Sequence, residues 1–173
     1  MTRISVYIAT SIDGYIATED ESLAWLEAAG SPDEDYGFQG FLDSVDALAM
    51  GRGTYDHIQH LDPLPFGERD VFVFTSRSSV PRHGVTFWST DPRQALDEWR
   101  RRGLKRVYVD GGVLISAFLA EGLVDDMLLT TVPILLGRGR PLFHPVSRVQ
   151  PMRLTGVQEF PSGMVNRSYQ RSG

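Results

Sequence analysis

The chain has 173 residues, of which 42% are hydrophobic and 23% are charged, with a formal net charge of −5. These values fit one soluble domain (1–173) and argue against nucleic acid as a partner, because nucleic-acid binders usually carry a basic stripe. The sequence has no cysteine, which excludes disulfides and thiolate metal sites, and no apolar run approaches the ~20 residues that cross a bilayer, so we expect a cytoplasmic protein without a metal or a membrane partner.

The first elements of the chain can be read from its apolar runs and its turn residues. Residues 4–10 form a short apolar, β-branched run that predicts a buried strand, and the stretch up to residue 30 is typical of a loop. Ser31, Pro32 and Glu34 then match a capping box. This pattern predicts that a helix begins at Ser31.

The remainder of the chain alternates strand patterns with helix patterns. Strands are predicted at 46–51, 71–76, 85–89, 105–110 and 125–137, and helices at 53–60, 91–103 and 113–122. A closing hairpin has its turn at 161–163. Because parallel strands need helical crossovers, this order predicts an α/β fold with a mainly parallel sheet and a C-terminal antiparallel hairpin.

Three strand-to-helix junctions carry residues that suit phosphate groups. The first reads Met50-Gly51-Arg52-Gly53-Thr54, the second Thr75-Ser76-Arg77-Ser78-Ser79 and the third Asp110-Gly111-Gly112-Val113. In open α/β sheets, ligands bind beyond the carboxyl ends of strands, where helix N-termini and arginine side chains can hold phosphates. Three phosphates at three junctions would fit NADPH, although the spacing is not a Rossmann fingerprint and tight turns alone would also need glycine.

The quoted segments also carry a family resemblance. ISVYIATSIDGYIA, ALAMGRGTYDHI, PLPFGERDVFVFTSRS, RVYVDGGVLISAFL and DDMLLTTVPILLGRGRPLF, in this order, resemble the dihydrofolate reductase-like superfamily. The ending LLGRGRPLF is most similar to the branch that contains the reductase domain of the riboflavin-pathway deaminase–reductase. The resemblance implies a dihydrofolate reductase-like three-layer α/β/α fold, a homodimer, and hydride transfer from NADPH.

The resemblance assigns cofactor roles by motif. It implies that Arg52, Ser76 and Arg77 bind the 2′-phosphate, and that Gly51, Gly53 and Thr54 bind the pyrophosphate. Gly111 and Gly112, joined in the family by a cis peptide bond, would lie with Val113 against the pyrophosphate and the nicotinamide ribose. The carbonyl of Ala9 would face the nicotinamide carboxamide. We interpret the glycine pair as bare backbone that allows close approach to the cofactor.

Two carboxylates are candidates for orienting and protonating the substrate. Asp35 lies 15 residues before Met50, which resembles the substrate acid of dihydrofolate reductases, and it would share a helix face with Phe38 and Leu42; an exposed aspartate at a helix start is the alternative. Asp13 matches an SxDG segment that lines the substrate site in riboflavin-type reductases, but Asp-Gly pairs also favour simple turns.

Two further residues are assigned to the substrate side. Trp25 falls in the expected active-site loop, although core packing would explain it equally well. Thr130 matches a strand threonine that supports the substrate acid in dihydrofolate reductases, with Thr131 as a neighbouring alternative.

The sequence therefore predicts an NADPH-dependent reductase of a small heterocycle. The substrate would be a pyrimidine such as 5-amino-6-(5-phosphoribosylamino)uracil, or a pteridine. The zinc deaminase signature is absent, so the chain does not contain both activities of the riboflavin enzyme. Dihydrofolate reductase proper and a non-catalytic, NADPH-binding regulatory protein are the alternatives.

Overall fold

The structure is a computed structural model that describes residues 1–146 and 149–172, so residues 147, 148 and 173 of the domain predicted at 1–173 lie outside it. Its strands are β1 (Arg3–Thr10), β2 (Tyr15–Ala17), β3 (Ala47–Gly51), β4 (Asp70–Phe74), β5 (Val85–Trp88), β6 (Arg106–Asp110), β7 (Asp126–Thr131), β8 (Arg140–Pro141), β9 (Met152–Glu159) and β10 (Val165–Arg171). Its helices are α1 (Ala24–Ala29), α2 (Phe38–Asp43), α3 (Arg52–Ile58), α4 (Pro92–Arg101) and α5 (Gly112–Ala120). No part of these described ranges forms a helix long and apolar enough to cross a membrane.

Eight strands form one sheet in the order β5-β4-β3-β6-β1-β7-β10-β9. The first six are parallel to one another, and the hairpin of β9 and β10 joins β7 antiparallel. The predicted mainly parallel sheet with its C-terminal hairpin is therefore confirmed. A small second sheet pairs β2 with β8.

The hydrophobic core lies on both faces of the large sheet. In β3, Ala47 and Ala49 pack on one side with Trp99 of α4 and Phe118 of α5. Leu48 and the other alternate side chains of β3 pack on the opposite side, against α2 and α3. A central strand buried on both faces needs the continuous apolar run that the sequence shows, since successive side chains point to opposite faces.

The prediction that a helix begins at Ser31 is wrong. The helix in this region, α2, begins at Phe38, after Tyr36 and Gly37 adopt positive φ values of 56° and 81°. The Glu34 carboxylate accepts hydrogen bonds from the amide and hydroxyl of Ser162, at 3.1 and 2.6 Å, instead of closing a capping box. Glu34, which the local pattern assigned to a helix, therefore binds the hairpin turn instead, although that turn is distant in sequence.

The strand predicted at 125–137 ends early, at Thr131. Pro133 has no amide hydrogen and cannot continue a ladder of strand hydrogen bonds. The carbonyl of Ile134 instead accepts a hydrogen bond from the amide of Ile12 at 2.8 Å. The segment beyond β7 therefore becomes a loop that packs beside the end of β1. The stretch predicted as a loop up to residue 30 contains β2 and α1.

Candidate active site

The three glycine- and arginine-bearing junctions lie side by side at one edge of the sheet. They follow β3, β4 and β6, which are neighbouring parallel strands. Met50 pairs with Asp110, and Gly51 pairs with Phe74, so the carboxyl ends of the three strands are level. The structure therefore brings together the segments that the sequence assigned to one cofactor.

Gly111 and Gly112 are required by contacts within the protein. Gly111 has a φ of +92°, and a Cβ atom there would lie 2.6 Å from the Thr54 hydroxyl oxygen. A Cβ atom at Gly112 would lie 2.7 Å from the carbonyl oxygen of Pro141. Within the described residues the one cis peptide bond joins Asp62 to Pro63. The prediction of a cis peptide bond between Gly111 and Gly112 is therefore wrong. These contacts with Thr54 and Pro141 explain the two glycines within the protein, and the cofactor contact assigned to them stays a prediction.

The other two junction glycines border open space. Within the described segments, a Cβ atom at Gly51 or Gly53 would have no heavy atom within 4 Å apart from its chain neighbours. Val113, in the first turn of α5, is 73% exposed although it is a large hydrophobic residue. Ala9 is half-buried near the end of β1, where it pairs with Thr130 of β7. These residues leave room for a ligand along the carboxyl edge of the strands.

A cluster of two arginines and one aspartate joins two of the junctions. The Arg52 guanidinium donates to the Asp56 carboxylate at 2.7 Å and to the Ser79 hydroxyl at 2.6 Å. Arg77 lies 3.6 Å from the other Asp56 oxygen. Ser76 is exposed beside them. Two guanidinium groups share a single carboxylate, which leaves the cluster with a net positive charge suited to a phosphate.

Asp35 lies next to a buried polar network and outside α2. Asp35 is exposed, and one of its carboxylate oxygens accepts a hydrogen bond from the backbone amide of Gln39 at 3.1 Å. It is therefore not on a helix face with Phe38 and Leu42, as the spacing predicted. Burial raises the pKa of the Tyr7 hydroxyl to about 12, a Thr130 hydrogen bond opposes this shift, and the nearby Asp35 charge adds to it.

The network beside Asp35 fixes the backbone of Tyr36. The Tyr36 carbonyl accepts hydrogen bonds from the Tyr7 hydroxyl at 2.9 Å and from the Asn166 amide at 2.6 Å. Thr130 is buried, and its hydroxyl donates to the Asn166 side-chain oxygen at 2.6 Å. Through its hydrogen bond to Asn166, Thr130 thus supports the segment that carries Asp35. Thr130 does not itself contact Asp35.

Asp13 lies in the turn between β1 and β2, and Trp25 lies in α1. The Asp13 carboxylate accepts hydrogen bonds from the Leu136 and Gly137 amides, at 3.2 and 2.7 Å, and from the Ser11 hydroxyl. The Ser11 hydrogen bond is the largest cause of its lowered pKa. Asp13 therefore ties two loops together. Trp25 is half-buried, and its indole Nε1 is buried with no hydrogen-bond partner among the residues that the structure describes.

Asp110 lies at the end of β6 and is not among the two carboxylates predicted from the sequence as candidates. Burial raises the pKa of its carboxyl to about 6, against the opposing effect of a hydrogen bond from the Gly111 amide, which measures 2.9 Å. It is the carboxyl group closest in chain to the glycine pair. The signal in the sequence was an acid placed directly before two glycines at the end of a buried strand. Asp56 and Asn166 carried no comparable signal.

The sequence also matches a known protein family and individual known proteins. The family model described as RibD C-terminal domain matches residues 2–166. The Bacillus subtilis (strain 168) protein YwjB is 34% identical over 158 residues, which cover 90% of each chain. The riboflavin biosynthesis protein RibD of Corynebacterium ammoniagenes is 28% identical over 163 residues, covering 84% of this chain and 47% of that protein.

Solved structures agree with the sequence comparison. The crystal structure of a candidate riboflavin biosynthesis protein from Shewanella sp. PV-4 is 32% identical in sequence and superposes with a TM-score of 0.92, covering 99% of this chain and all of that one. A dihydrofolate reductase structure from Enterococcus faecalis shares the same fold, with a TM-score of 0.69 at 16% sequence identity. The predicted fold class is therefore confirmed as dihydrofolate reductase-like. In the described ranges, no group of three or more acidic or histidine side chains could hold a metal ion.

Proposed function

The chain belongs to the RibD C-terminal domain family, a family of reductase domains, and we propose that it is an NADPH-dependent reductase of a small heterocycle. The substrate in this proposal is a pyrimidine, such as 5-amino-6-(5-phosphoribosylamino)uracil, or a pteridine. The observation that carries the proposal is the Arg52–Asp56–Arg77 cluster, which lies at the same sheet edge as the open glycine junction. The proposal also includes a cytoplasmic location, which the lack of cysteine favours.

The residues at this edge fit the cofactor. Arg52 and Arg77 would hold the 2′-phosphate, with the hydroxyl of Ser76 beside them. The bare backbone of Gly51 and Gly53 leaves space for the pyrophosphate, since a side chain there would meet only open space. When bound, NADPH supplies the hydride, and the protein supplies placement and electrostatics.

Protonation of the substrate is the second requirement of hydride transfer to a C=N or C=O bond. Asp110 is suited to carry a proton, because burial raises its pKa to about 6. Asp35 is suited to orient a substrate ring, because it is exposed and sits on a backbone segment that Tyr7 and Asn166 hold in place. Asp13 would shape the pocket, since its carboxylate holds the loop at Leu136 and Gly137.

The cofactor preference tests the proposal directly. We expect the wild-type protein to bind NADPH at least about tenfold more tightly than NADH, since hydrogen bonds to charged groups contribute about 1.5–3 kcal/mol. Arg77→Ala should narrow this ratio. Arg93→Ala is the matched control, because its side chain is 63% exposed against 65% for Arg77 and pairs with Glu121 on a different part of the surface. Equal affinities for the two cofactors in a fluorescence titration would contradict the proposal.

Turnover then separates the substrate options. Loss of NADPH absorbance should be measured with dihydrofolate and with the ribosylaminopyrimidine. Asp110→Asn should lower turnover most strongly below pH 6, where the wild-type carboxyl holds its proton. NADPH binding without turnover of either compound class would favour the non-catalytic alternative.

A further inference from the structure

Four segments of the chain meet beyond the carboxyl ends of β1 and β7, and we name them the substrate rim. They are residues 11–13, 31–36, 132–137 and 159–165, the second of which contains Asp35. The segments that follow β1 and β7 are joined twice. The Ile12 amide donates to the carbonyl of Ile134 at 2.8 Å, and the Leu136 amide donates to the Asp13 carboxylate at 3.2 Å.

The hairpin turn connects these two segments with the segment that carries Asp35. The Ser162 hydroxyl donates to the Glu34 carboxylate at 2.6 Å. On its other side the turn packs against Pro133, since a Cβ atom at Gly163 would lie 3.4 Å from the proline ring. The four segments are therefore connected to one another around the proposed position of the substrate.

The substrate rim is acidic, and its four segments contain no lysine, arginine or histidine. Its acidic residues are Asp13, Asp33, Glu34, Asp35 and Glu159. A hydrogen bond from the Ser11 hydroxyl is the largest cause of the lowered pKa of Asp13, and one from Ser162 has the same effect on the pKa of Glu34. Both carboxylates therefore stay charged at neutral pH.

The basic residues that come next in sequence do not neutralise the rim. Arg138 and Arg140 each pair with a glutamate of the loop 18–22, at 3.3 and 3.0 Å. Arg167 lies on the opposite face of β10, because successive strand side chains alternate and its neighbour Asn166 bonds to the rim. The charge on the rim is thus left without a basic partner from these three residues.

The rim also exposes two large apolar side chains. Ile12 and Leu135 are 58% and 70% exposed, on the two segments that hydrogen bonds join. The loop 63–66, which packs in the same cluster as Phe38 of α2, is apolar at every position. Ligand sites are typically lined by apolar side chains with a few polar groups that fix orientation. Apolar side chains beside carboxylates suit an uncharged or positively charged ring.

We propose that the substrate rim excludes phosphate esters, so that the substrate is an unphosphorylated heterocycle that is neutral or positively charged. This inference rests on the proposed function and narrows its substrate class. A free pyrimidine or pteridine is favoured, and the phosphorylated pyrimidine given there as an example is disfavoured.

The physical basis is the charge of the two halves of the site. A phosphate ester carries about 1.5 to 2 negative charges at neutral pH, and proteins hold such groups with arginine or lysine. Arg52 and Arg77 offer this at the cofactor half, whereas the rim segments offer only carboxylates. Like charges brought together oppose binding, and such repulsion is a common source of specificity.

The test compares ligands that differ only by a phosphate. Calorimetry on the full chain, with and without saturating NADP⁺, would measure the Kd of the ribosylaminopyrimidine and of its 5′-phosphate, and the Kd of a hydroxymethyl-dihydropterin and of its phosphate ester. In the pair that binds, we expect the unphosphorylated compound to bind at least about tenfold more tightly at low ionic strength. Added salt should reduce this ratio, because it screens the repulsion between charges.

Three results would overturn the proposal: a phosphate ester that binds as tightly as its unphosphorylated partner, a ratio that salt does not change, or no binding by any of the four compounds. Failure of NADPH to bind would instead refute the proposed function. The titrations without cofactor would still decide whether the rim excludes phosphate.

A charge reversal on the rim gives an independent answer. Asp33 is exposed and lies two residues before Asp35, and Asp33→Lys should reduce the preference for the unphosphorylated compound at least about threefold, because it replaces a repulsion with an attraction. Asp97→Lys is the matched control, since Asp97 is also an exposed aspartate but lies on α4, on the opposite side of the sheet. A preference that Asp33→Lys leaves unchanged, or that both variants reduce equally, would contradict the proposal.

Discussion

Replacing Asp110 with asparagine should stabilise the protein at neutral pH. Burial raises the pKa of the Asp110 carboxyl from 3.8 to about 6, and each pKa unit corresponds to about 1.4 kcal/mol. The ionised carboxyl therefore costs the folded state about 3 kcal/mol. Asparagine has nearly the same shape and can still accept the Gly111 amide hydrogen bond, but it carries no charge.

The sign of the effect follows from the direction of the shift. Because the pKa is higher in the folded state, the folded chain keeps this proton between pH 4 and pH 6 while the unfolded chain releases it. The contribution of Asp110 is thus fully present below the unfolded pKa and is lost as the pH rises through about 6. The stability difference between Asp110→Asn and wild type should increase by about 2.4 kcal/mol between pH 4 and pH 7. In a chain of this length, that corresponds to roughly 5–10 °C in Tm.

The assay is urea unfolding of both proteins at a series of pH values. Other titrating groups are common to both chains, so they cancel in the difference. Asp13→Asn is the control of opposite sign, because hydrogen bonds lower the Asp13 pKa and the stability that it contributes is lost as the pH falls. A difference between Asp110→Asn and wild type that stays constant across the series would refute the argument that Asp110 is desolvated.

Three further changes test the packing that positions the site. Gly111→Ala should destabilise the protein by about 1–3 kcal/mol because residue 111 has a positive φ, with a further loss from the contact between the new Cβ atom and Thr54. In a double-mutant cycle, Thr54→Ala should recover only the loss that comes from this contact. A Gly111→Ala variant as stable as wild type would contradict the geometry. Trp99→Phe should destabilise the protein by less than Trp99→Ala, for which about 3–5 kcal/mol is typical, because the buried Nε1 of Trp99 has no hydrogen-bond partner among the described residues. Equal urea midpoints for the Phe and Ala variants would contradict this prediction. Arg106→Leu should cost about 2 kcal/mol or more by removing a cation from the buried Asp126 carboxylate, and an equally large loss in an Asp126→Asn background would exclude this electrostatic cause.

The central sheet could be predicted because its signals are local. Residues 47–50, Ala-Leu-Ala-Met, are apolar and buried at every position, which is typical of a strand covered on both faces. The hairpin turn at 161–163 could be predicted for the same reason, since proline and glycine fix the turn within three residues. In both cases the residues that decide the structure are adjacent in sequence.

The start of α2 could not be predicted, because long-range contacts decide it. Ser31 and Glu34 match a capping box in every local respect. Glu34 is claimed by Ser162, which is 128 residues away in sequence, and Tyr36 is held with positive φ while its carbonyl accepts bonds from Tyr7 and Asn166. No pattern within a ten-residue window contains these partners.

The same distinction divides the candidate site into two halves. The proposed cofactor half is built from short junctions such as 51–54 and 110–113, each of which directly follows a strand, so neighbouring parallel strands are enough to bring them together. The proposed substrate half is built from Asp35 and its backbone, whose position depends on β1 and on the hairpin at the far end of the chain. A sequence can therefore indicate the hydride donor while leaving the acceptor open, since the donor site follows from strand order and the acceptor site follows from side-chain contacts over more than a hundred residues.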